Sequence, residues 1–545
     1  MDLDQGVSLH PIDVIMLAVY AVAMVGVGLW FARRTKSADG DAAADYFLAG
    51  RAMLWPVIGF SLFASNISST TLIGLAGDAY GRGIWVFNYE WMAAFVLAFF
   101  ALFVLPQILR SGVFTMPEFL ERRFGRGARL YFAGLTLFLN IVVDTAASLF
   151  AGAVVMKLVF PGVETWQIVA VLAVLAGIYT VVGGLSAVMI TDVLQAVLLL
   201  IGAVVITVIA WSQIGGWSAI AEGVPAEKLS LIRPADDPGM PWPALLTGVS
   251  LLGFYFWGTN QFMAQRFLAA KDANHARWGA ILAGFLKLPV LLIMVLPGTM
   301  ALLIYGDSLP TNQVYPTLMF DLLPVGLLGL VLAGFFAALM SQIDSTLNSA
   351  STMVTMDFVR TARPDLSQER LSFIGKVATF LFMIAAVLWA PQIERFDSIF
   401  QYLQSVLAYT VGPICALYLV GTFWPRANRQ GANAGLIVGT ALGVVLLVGQ
   451  VIVPTATGGD AMITSAYWHW LYAAPVSALV TAAVVWIVSL RTPAPDPAVV
   501  GPLVWTPAVF RADTEELRAQ PWWKNYRYQF AALIAVTTVI LIAFW

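Results

Sequence analysis

The sequence predicts an all-α integral membrane protein, and three observations predict it. Its 545 residues are 60% hydrophobic and only 11% charged. Apolar runs recur along its length, and many reach the about 20 helical residues needed to cross the hydrocarbon core. Lysine and arginine gather in alternate loops between those runs, as positive charge does when it is held on the cytoplasmic side.

Taken in order, the apolar segments fall near 12–32, 53–80, 84–110, 127–157, 164–182, 184–213, 243–268, 273–305, 324–360, 371–390, 396–423, 431–454, 464–490 and 525–544, which makes about fourteen transmembrane helices. With the N-terminus outside, the exterior loops hold only Arg82, Lys157, Lys228, Arg233 and Arg395 of the 29 lysines and arginines. Lys287 lies within a span, so the rest are inside and both termini are extracytoplasmic. Met1 to His10 lacks the basic region of a cleavable signal peptide, and the apolar run after it reads as a retained span in the plasma (inner) membrane. The outer loop from Gly215 to Met240 carries Glu222, Glu227, Asp236 and Asp237. On the inner side, Glu118 to Arg123 reads as a short surface helix, and Arg491 to Tyr528, rich in proline and charge, as a cytoplasmic linker.

Composition also excludes several functions. A net charge of −2 offers no basic face to nucleic acid. The single cysteine, Cys415, rules out an internal disulfide or a cysteine zinc site. His10, His275 and His469 sit at span ends, where they form no metal pair and no proton relay. No phosphate-cradling glycine loop with its lysine is present, which argues against a nucleotide-driven pump, and nothing else points to an enzyme.

The second span is interrupted by Phe63-Ala64-Ser65-Asn66-Ile67-Ser68-Ser69-Thr70-Thr71. Non-helical backbone at membrane depth survives only where it faces protein, an aqueous cavity or a ligand, so the interruption is a site candidate. The competing explanation is that these hydroxyls bond their own helix and let neighbours pack closely. Five spans later, Gly258-Thr259-Asn260-Gln261 interrupts the seventh. An odd offset makes the two broken helices cross in opposite directions, the arrangement of inverted-repeat transporters.

Ionisable residues inside the spans need a partner or a cavity, and the sequence offers Glu90, Asp144, Asp192, Lys287 and Asp344. Glu90 and Lys287 either pair or bond separately to solute hydroxyls, and both readings stand at this point. Asp344 lies among Ser341, Gln342, Ser345, Thr346, Asn348 and Ser349, hard oxygen ligands that suit Na⁺ or that satisfy neighbouring helices instead. Groups able to face that cluster are the carbonyls freed at Ala64 and Ile67, and the Asp192 carboxylate.

Several motifs together resemble the sodium/glucose cotransporter branch of the solute/sodium symporter family. They are Ala64-Ser65-Asn66-Ile67 leading to Gly74-Leu75-Ala76-Gly77, Tyr89-Glu90-Trp91, Thr115-Met116-Pro117-Glu118-Phe119, Gly184-Leu185-Ser186-Ala187-Val188 to Thr191-Asp192-Val193-Leu194-Gln195, and Gln265-Arg266-Phe267. Leu347-Asn348-Ser349-Ala350-Ser351 and Phe423-Trp424 extend the likeness, which runs from about residue 45 to residue 435.

The resemblance implies a LeuT-type core of five plus five helices in inverted repeats. Its first repeat is 53–213 and its second 243–425, with 1–52 and 426–545 as additions, 214–242 as an extracellular loop and 491–524 as a cytoplasmic linker. It further implies that Asn66, Glu90, Lys287 and Gln404 bond solute hydroxyls, with Trp257 beside the solute, Phe256 as its aromatic cap and Thr71 within reach. For Na⁺ it implies Ala64, Ile67, Ala338, Ser341 and Gln342, where Gln342 replaces the family's second serine. Asp192, Ser341, Asp344 and Ser345 form a second ion or proton site, since two facing carboxylates can hold Na⁺ or share a proton. The expected function is Na⁺-coupled import of a sugar or polyol by alternating access. Proton coupling, symport of a carboxylate or amino acid, and a non-transporting sensor on the same fold are the alternatives.

Overall fold

A computed structural model describes residues 9–34, 48–396, 398–454, 461–463 and 468–545. Among these residues the backbone is helical apart from connections and two isolated bridges, Met53–Ala270 and Arg233–Pro241. Of the predicted spans, residue 397 and residues 464–467 lie outside the described residues, as do 1–8, 35–47 and 455–460 between spans. Among the described residues eight helices are long and apolar enough to cross a bilayer, and three bent helix pairs bring the number to 11. Apolar side chains point outward along them. On Gln368–Trp389, for instance, Phe373, Phe380 and Leu388 are 68%, 64% and 71% exposed, as suits a lipid-facing surface.

The breaks are local and have local causes. Trp55–Asn66 and Ser69–Gly81 meet at 58° across Ile67 and Ser68. In the seventh segment the helix stops at Asn260, whose backbone is extended, and restarts as Gln261–Leu268 with the Asn260 side chain accepting from Phe262 N–H at 3.2 Å. Two further bends are absent from the sequence reading. Ala273–Lys287 and Leu291–Tyr305 differ by 40° where Pro289 removes a donor. Ile399–Thr410 and Gly412–Phe423 differ by 54° beside Gly412-Pro413.

No stop in the helical backbone marks the boundary expected between 182 and 184, and one helical run extends from Thr165 to Ile214. The run still reverses direction. Leu172 lies with Leu339 against Gly152, whereas Leu198 and Leu199 lie against Gly334, only five residues away on the Leu327–Met353 helix. A straight helix would separate Leu172 from Leu199 by about 40 Å, so its two flanks run side by side along Leu327–Met353.

Other corrections concern the connections. Met116–Phe124 is no mere surface helix, since Phe119, Leu120 and Arg123 are buried in it. The linker after Arg491 folds into Pro497–Val500 and Pro507–Arg518, and Asp513 ties the second to Arg277 at 2.8 Å and Arg527 at 2.9 Å. The loop expected outside contains Trp217–Gly223 and buries Leu231 and Met240, with the Asn88 amide donating to the Leu231 carbonyl at 2.7 Å.

Candidate functional site

The first break shapes the site. Ser68 Oγ accepts from Thr71 N–H and Thr71 Oγ1 accepts from Ser68 N–H, both at 3.4 Å, while the Thr71 hydroxyl donates to the Asn66 carbonyl at 2.9 Å. This reciprocal cap restarts the helix and uses the Thr71 hydroxyl in doing so. Among the described residues the carbonyls of Ala64 and Ile67 receive no backbone donor, as helix-end carbonyls do not.

Beside the break lies a cavity of about 80 Å³. Asn66, Thr71, Glu90, Phe256, Trp257 and Gln404 all line it. Lys287 lies behind that wall, fully buried, and donates to Glu90. The two readings left open for Glu90 and Lys287 thus resolve to the buried pair. Lys287 Nζ also sits 5.5 Å from the Trp257 ring and 5.7 Å from that of Phe63, so the ammonium is held by an anion and two aromatic faces. Phe256 is half-buried and packs edge-on against Trp257 and Phe262.

Asp144, Gln342, Tyr89 and Phe400 line the same cavity without having been assigned to it. Asp144 lies in a wide π-turn, Asn140–Thr145, and Phe256 and Trp257 lie in another, Phe254–Thr259. Such turns gather at functional sites but leave no mark on hydrophobic periodicity.

The residues assigned to the ion divide between two places. Ser341 donates to Asp192 Oδ1 at 2.5 Å, while the next residue, Gln342, donates to Asp144 Oδ1 at 3.2 Å. Successive side chains on a helix point about 100° apart, which separates them. Ala64, Ile67 and Ala338 are buried, the first two at the break and the third within Leu327–Met353.

Asp192, Ser341 and Ser345 do converge, around a cation missing from the sequence-based inventory. Arg266 Nη2 lies 3.0 Å from Asp192 Oδ2 and donates to Ser345 Oγ at 2.7 Å, and its Nε donates to Ser61 Oγ at 2.8 Å. Arg266 also donates to Ser65 and to the Phe262 carbonyl, and neither Arg266 nor Asp192 is exposed at all. A desolvated pair is tolerable only when its remaining donors and lone pairs are matched, and here they are. Arg266 stands two residues from the end of its predicted span, where it reads as an inner-face charge. Asp344 is buried on the same helix as Ser341 and Ser345.

A second hub lies at the Met116–Phe124 helix. Thr115 and Arg129 both donate to Asp357 at 2.8 Å, and Arg123 donates to the carbonyls of Gly421, Trp424 and Ala427. Gln261, just past the second break, accepts from Met116 N–H at 2.7 Å.

Comparison with known proteins follows this geometry. The profile of the family described as "Sodium:solute symporter family" matches residues 46–439. Sodium/glucose cotransporter 4 of Danio rerio is 33% identical over 540 residues, covering 92% of this chain and 82% of that protein. Sodium/myo-inositol cotransporter 2 of Oryctolagus cuniculus is 35% identical over 541 residues, covering 91% and 79%. Among solved structures, a substrate-bound, outward-open Na⁺-coupled sialic acid symporter superposes with a TM-score of 0.76 at 24% identity, covering 90% of this chain and 99% of its own. Mhp1, a nucleobase-cation-symport-1 family transporter, gives 0.56 at 14% identity, covering 84% and 97%.

Proposed function

We propose, from the premise that this chain belongs to the sodium:solute symporter family, that it imports a sugar or polyol together with Na⁺ by alternating access. Na⁺ is the coupling ion, and the protein is a membrane transporter rather than an enzyme. The observation that carries the solute reading is the cavity beside the first break, polar on one wall and aromatic on another. Relatives at 33–36% identity named for glucose and myo-inositol support the same class.

In this reading Asn66, Glu90 and Gln404 bond hydroxyls, Phe256 and Trp257 cover the solute's apolar face, Lys287 holds Glu90 in place, and Thr71 holds the break open. Na⁺ sits against the carbonyls of Ala64, Ile67 and Ala338 and the Ser341 hydroxyl. Asp192, Ser341, Asp344 and Ser345 form a second ion or proton site, at which the Arg266 guanidinium now stands where a monovalent cation would. Ion entry there requires Arg266 to swing away.

Residues 53–213 and 243–425 act as the two inverted repeats that rock about the site, and both termini face outward. Ion binding favours the outward-open state, and the coupling is the difference in solute affinity between states. A carboxylate solute fits less well, because Lys287 is already neutralised by Glu90.

The test is uptake of a labelled sugar and polyol panel into proteoliposomes with Na⁺, H⁺ and K⁺ gradients imposed separately. Accumulation driven by Na⁺ alone is the expected result. Uptake of every member indifferent to Na⁺ sinks the proposal, and exchange without accumulation favours a sensor or channel.

A further inference from the structure

Far from the solute cavity, the face read as cytoplasmic gathers arginines that the protein leaves unneutralised. Arg126 and Arg429 are the first residues of two spanning helices, Arg126–Val159 and Arg429–Ile452, and Arg491 is the last of a third, Trp470–Arg491. Arg426 follows shortly after the end of Gly412–Phe423. Contacts between the connecting loops hold these helix ends together. A Cβ on Gly125 would lie 3.2 Å from Arg429 Cδ, so Arg429 crosses the residue before Arg126. Arg123, buried behind them, donates to the carbonyls of Gly421, Trp424 and Ala427. Arg426 donates to the Thr492 carbonyl at 2.7 Å, and the Asn428 amide donates to Thr492 Oγ1 at 2.6 Å.

The carboxylates on adjoining segments are engaged elsewhere. Glu118 pairs with Arg122, Glu121 with Arg129, and Asp513 with Arg277 and Arg527, while Asp496 accepts from Ala498 N–H. Among the described residues none of Arg126, Arg426, Arg429 and Arg491 has an ion pair. Arg126, Arg429 and Arg491 are exposed, and Arg426 Nη1 finds no acceptor among the described residues. Like charges gathered this closely beside hydrocarbon repel one another unless an anion joins them.

We infer that these four arginines form a site for the phosphate of an anionic phospholipid. A guanidinium presents a planar fork that matches phosphate oxygens. Arginines at the ends of spanning helices lie at headgroup depth, where basic pockets between helices recognise anionic headgroups. Exposed Phe423 and half-buried Trp424, just before Arg426, mark that depth as interfacial aromatics do. The acyl chains also have a surface to lie on, since Ile437, Trp486 and Leu490 are exposed on the helices that carry Arg429 and Arg491. Free phosphate would meet the charges and leave that surface unused, so the lipid is the source.

The experiment uses the full chain purified in detergent, with phosphatidylglycerol, phosphatidylcholine and inorganic phosphate as separate probes. Native mass spectrometry reads retained lipid, and thermal unfolding reads stabilisation. The test variant is Arg126→Gln/Arg429→Gln/Arg491→Gln. Its control, Arg363→Gln/Arg370→Gln/Lys376→Gln, removes the same charge from exposed positions on and before the Gln368–Trp389 helix. Wild type is expected to retain phosphatidylglycerol over phosphatidylcholine and to unfold at a higher temperature with it. At about fivefold per arginine, the test variant binds phosphatidylglycerol on the order of 100-fold more weakly. The control binds it as wild type does.

Equal retention of the two lipids by wild type overturns the inference, as does an equal loss in the control, which marks general surface charge. Inorganic phosphate stabilising wild type as much as phosphatidylglycerol overturns it too, since that marks a free-anion site. Should the test variant fail to fold, unchanged phosphatidylglycerol retention in Arg429→Gln is decisive against it. None of these readouts depends on transport, so the symporter reading stands or falls separately.

Discussion

Glu90 and Lys287 show how a single contact separates stability from function. Both sit in the membrane-embedded interior, 4% and 0% exposed, and each neutralises the other. Removing one partner of such a pair strands a desolvated charge, at a cost of about 3–5 kcal/mol. Lys287→Met is therefore expected to lower the thermal unfolding midpoint of the detergent-solubilised protein sharply. Adding Glu90→Leu is expected to recover most of that loss, while solute uptake stays abolished in both variants. Recovery of uptake in the double variant would exclude the pair from the solute site. Both residues stood out in the sequence as ionisable groups within apolar runs. Their pairing did not, because 197 positions separate them.

At the scale of elements, the two-residue interruption at Ile67-Ser68 positions everything around the cavity. Ser68 caps the restarting helix, and the Thr71 hydroxyl pins the Asn66 carbonyl across the gap. Loss of such a cap costs about 0.5–2 kcal/mol. Ser68→Ala should thus lower the unfolding midpoint modestly and raise the solute KM, because Asn66 and Thr71 lose their fixed relation. An unchanged KM would mean that the break is held by packing alone. The two interrupted segments were readable from small and polar residues inside apolar runs. The bends after Lys287 and at Val411 were not, although Pro289 and Pro413 were visible, because proline inside a long apolar run reads equally as a kink or as a tolerated irregularity. The reversal within 165–214 was legible, because two apolar runs meet there, described as Thr165–Ala176 and Val188–Ile214.

For the molecule as a whole, the Lys and Arg asymmetry assigns both termini to the outside, and chemical labelling can test this. Cys415 is buried and silent, so new cysteines report alone. Trp545→Cys is expected to react with a membrane-impermeant maleimide added to intact cells, and Asp496→Cys only after the cells are opened. The reverse pattern would overturn the assigned orientation and every inside or outside label attached to the loops.

The sequence by itself determined the class of molecule, the course of its apolar segments and the two interruptions. These are properties of composition and of local order along the chain, where the exclusion of water from a bilayer makes every polar residue conspicuous. Only the tertiary structure decided which charges meet. It joined Glu90 to Lys287, gave Asp192 to Arg266 and turned Gln342 toward Asp144. The physical reason is that an ion pair depends on the lateral placement and rotation of helices far apart in the chain, and no spacing along one strand of sequence encodes the angle at which two helices face each other.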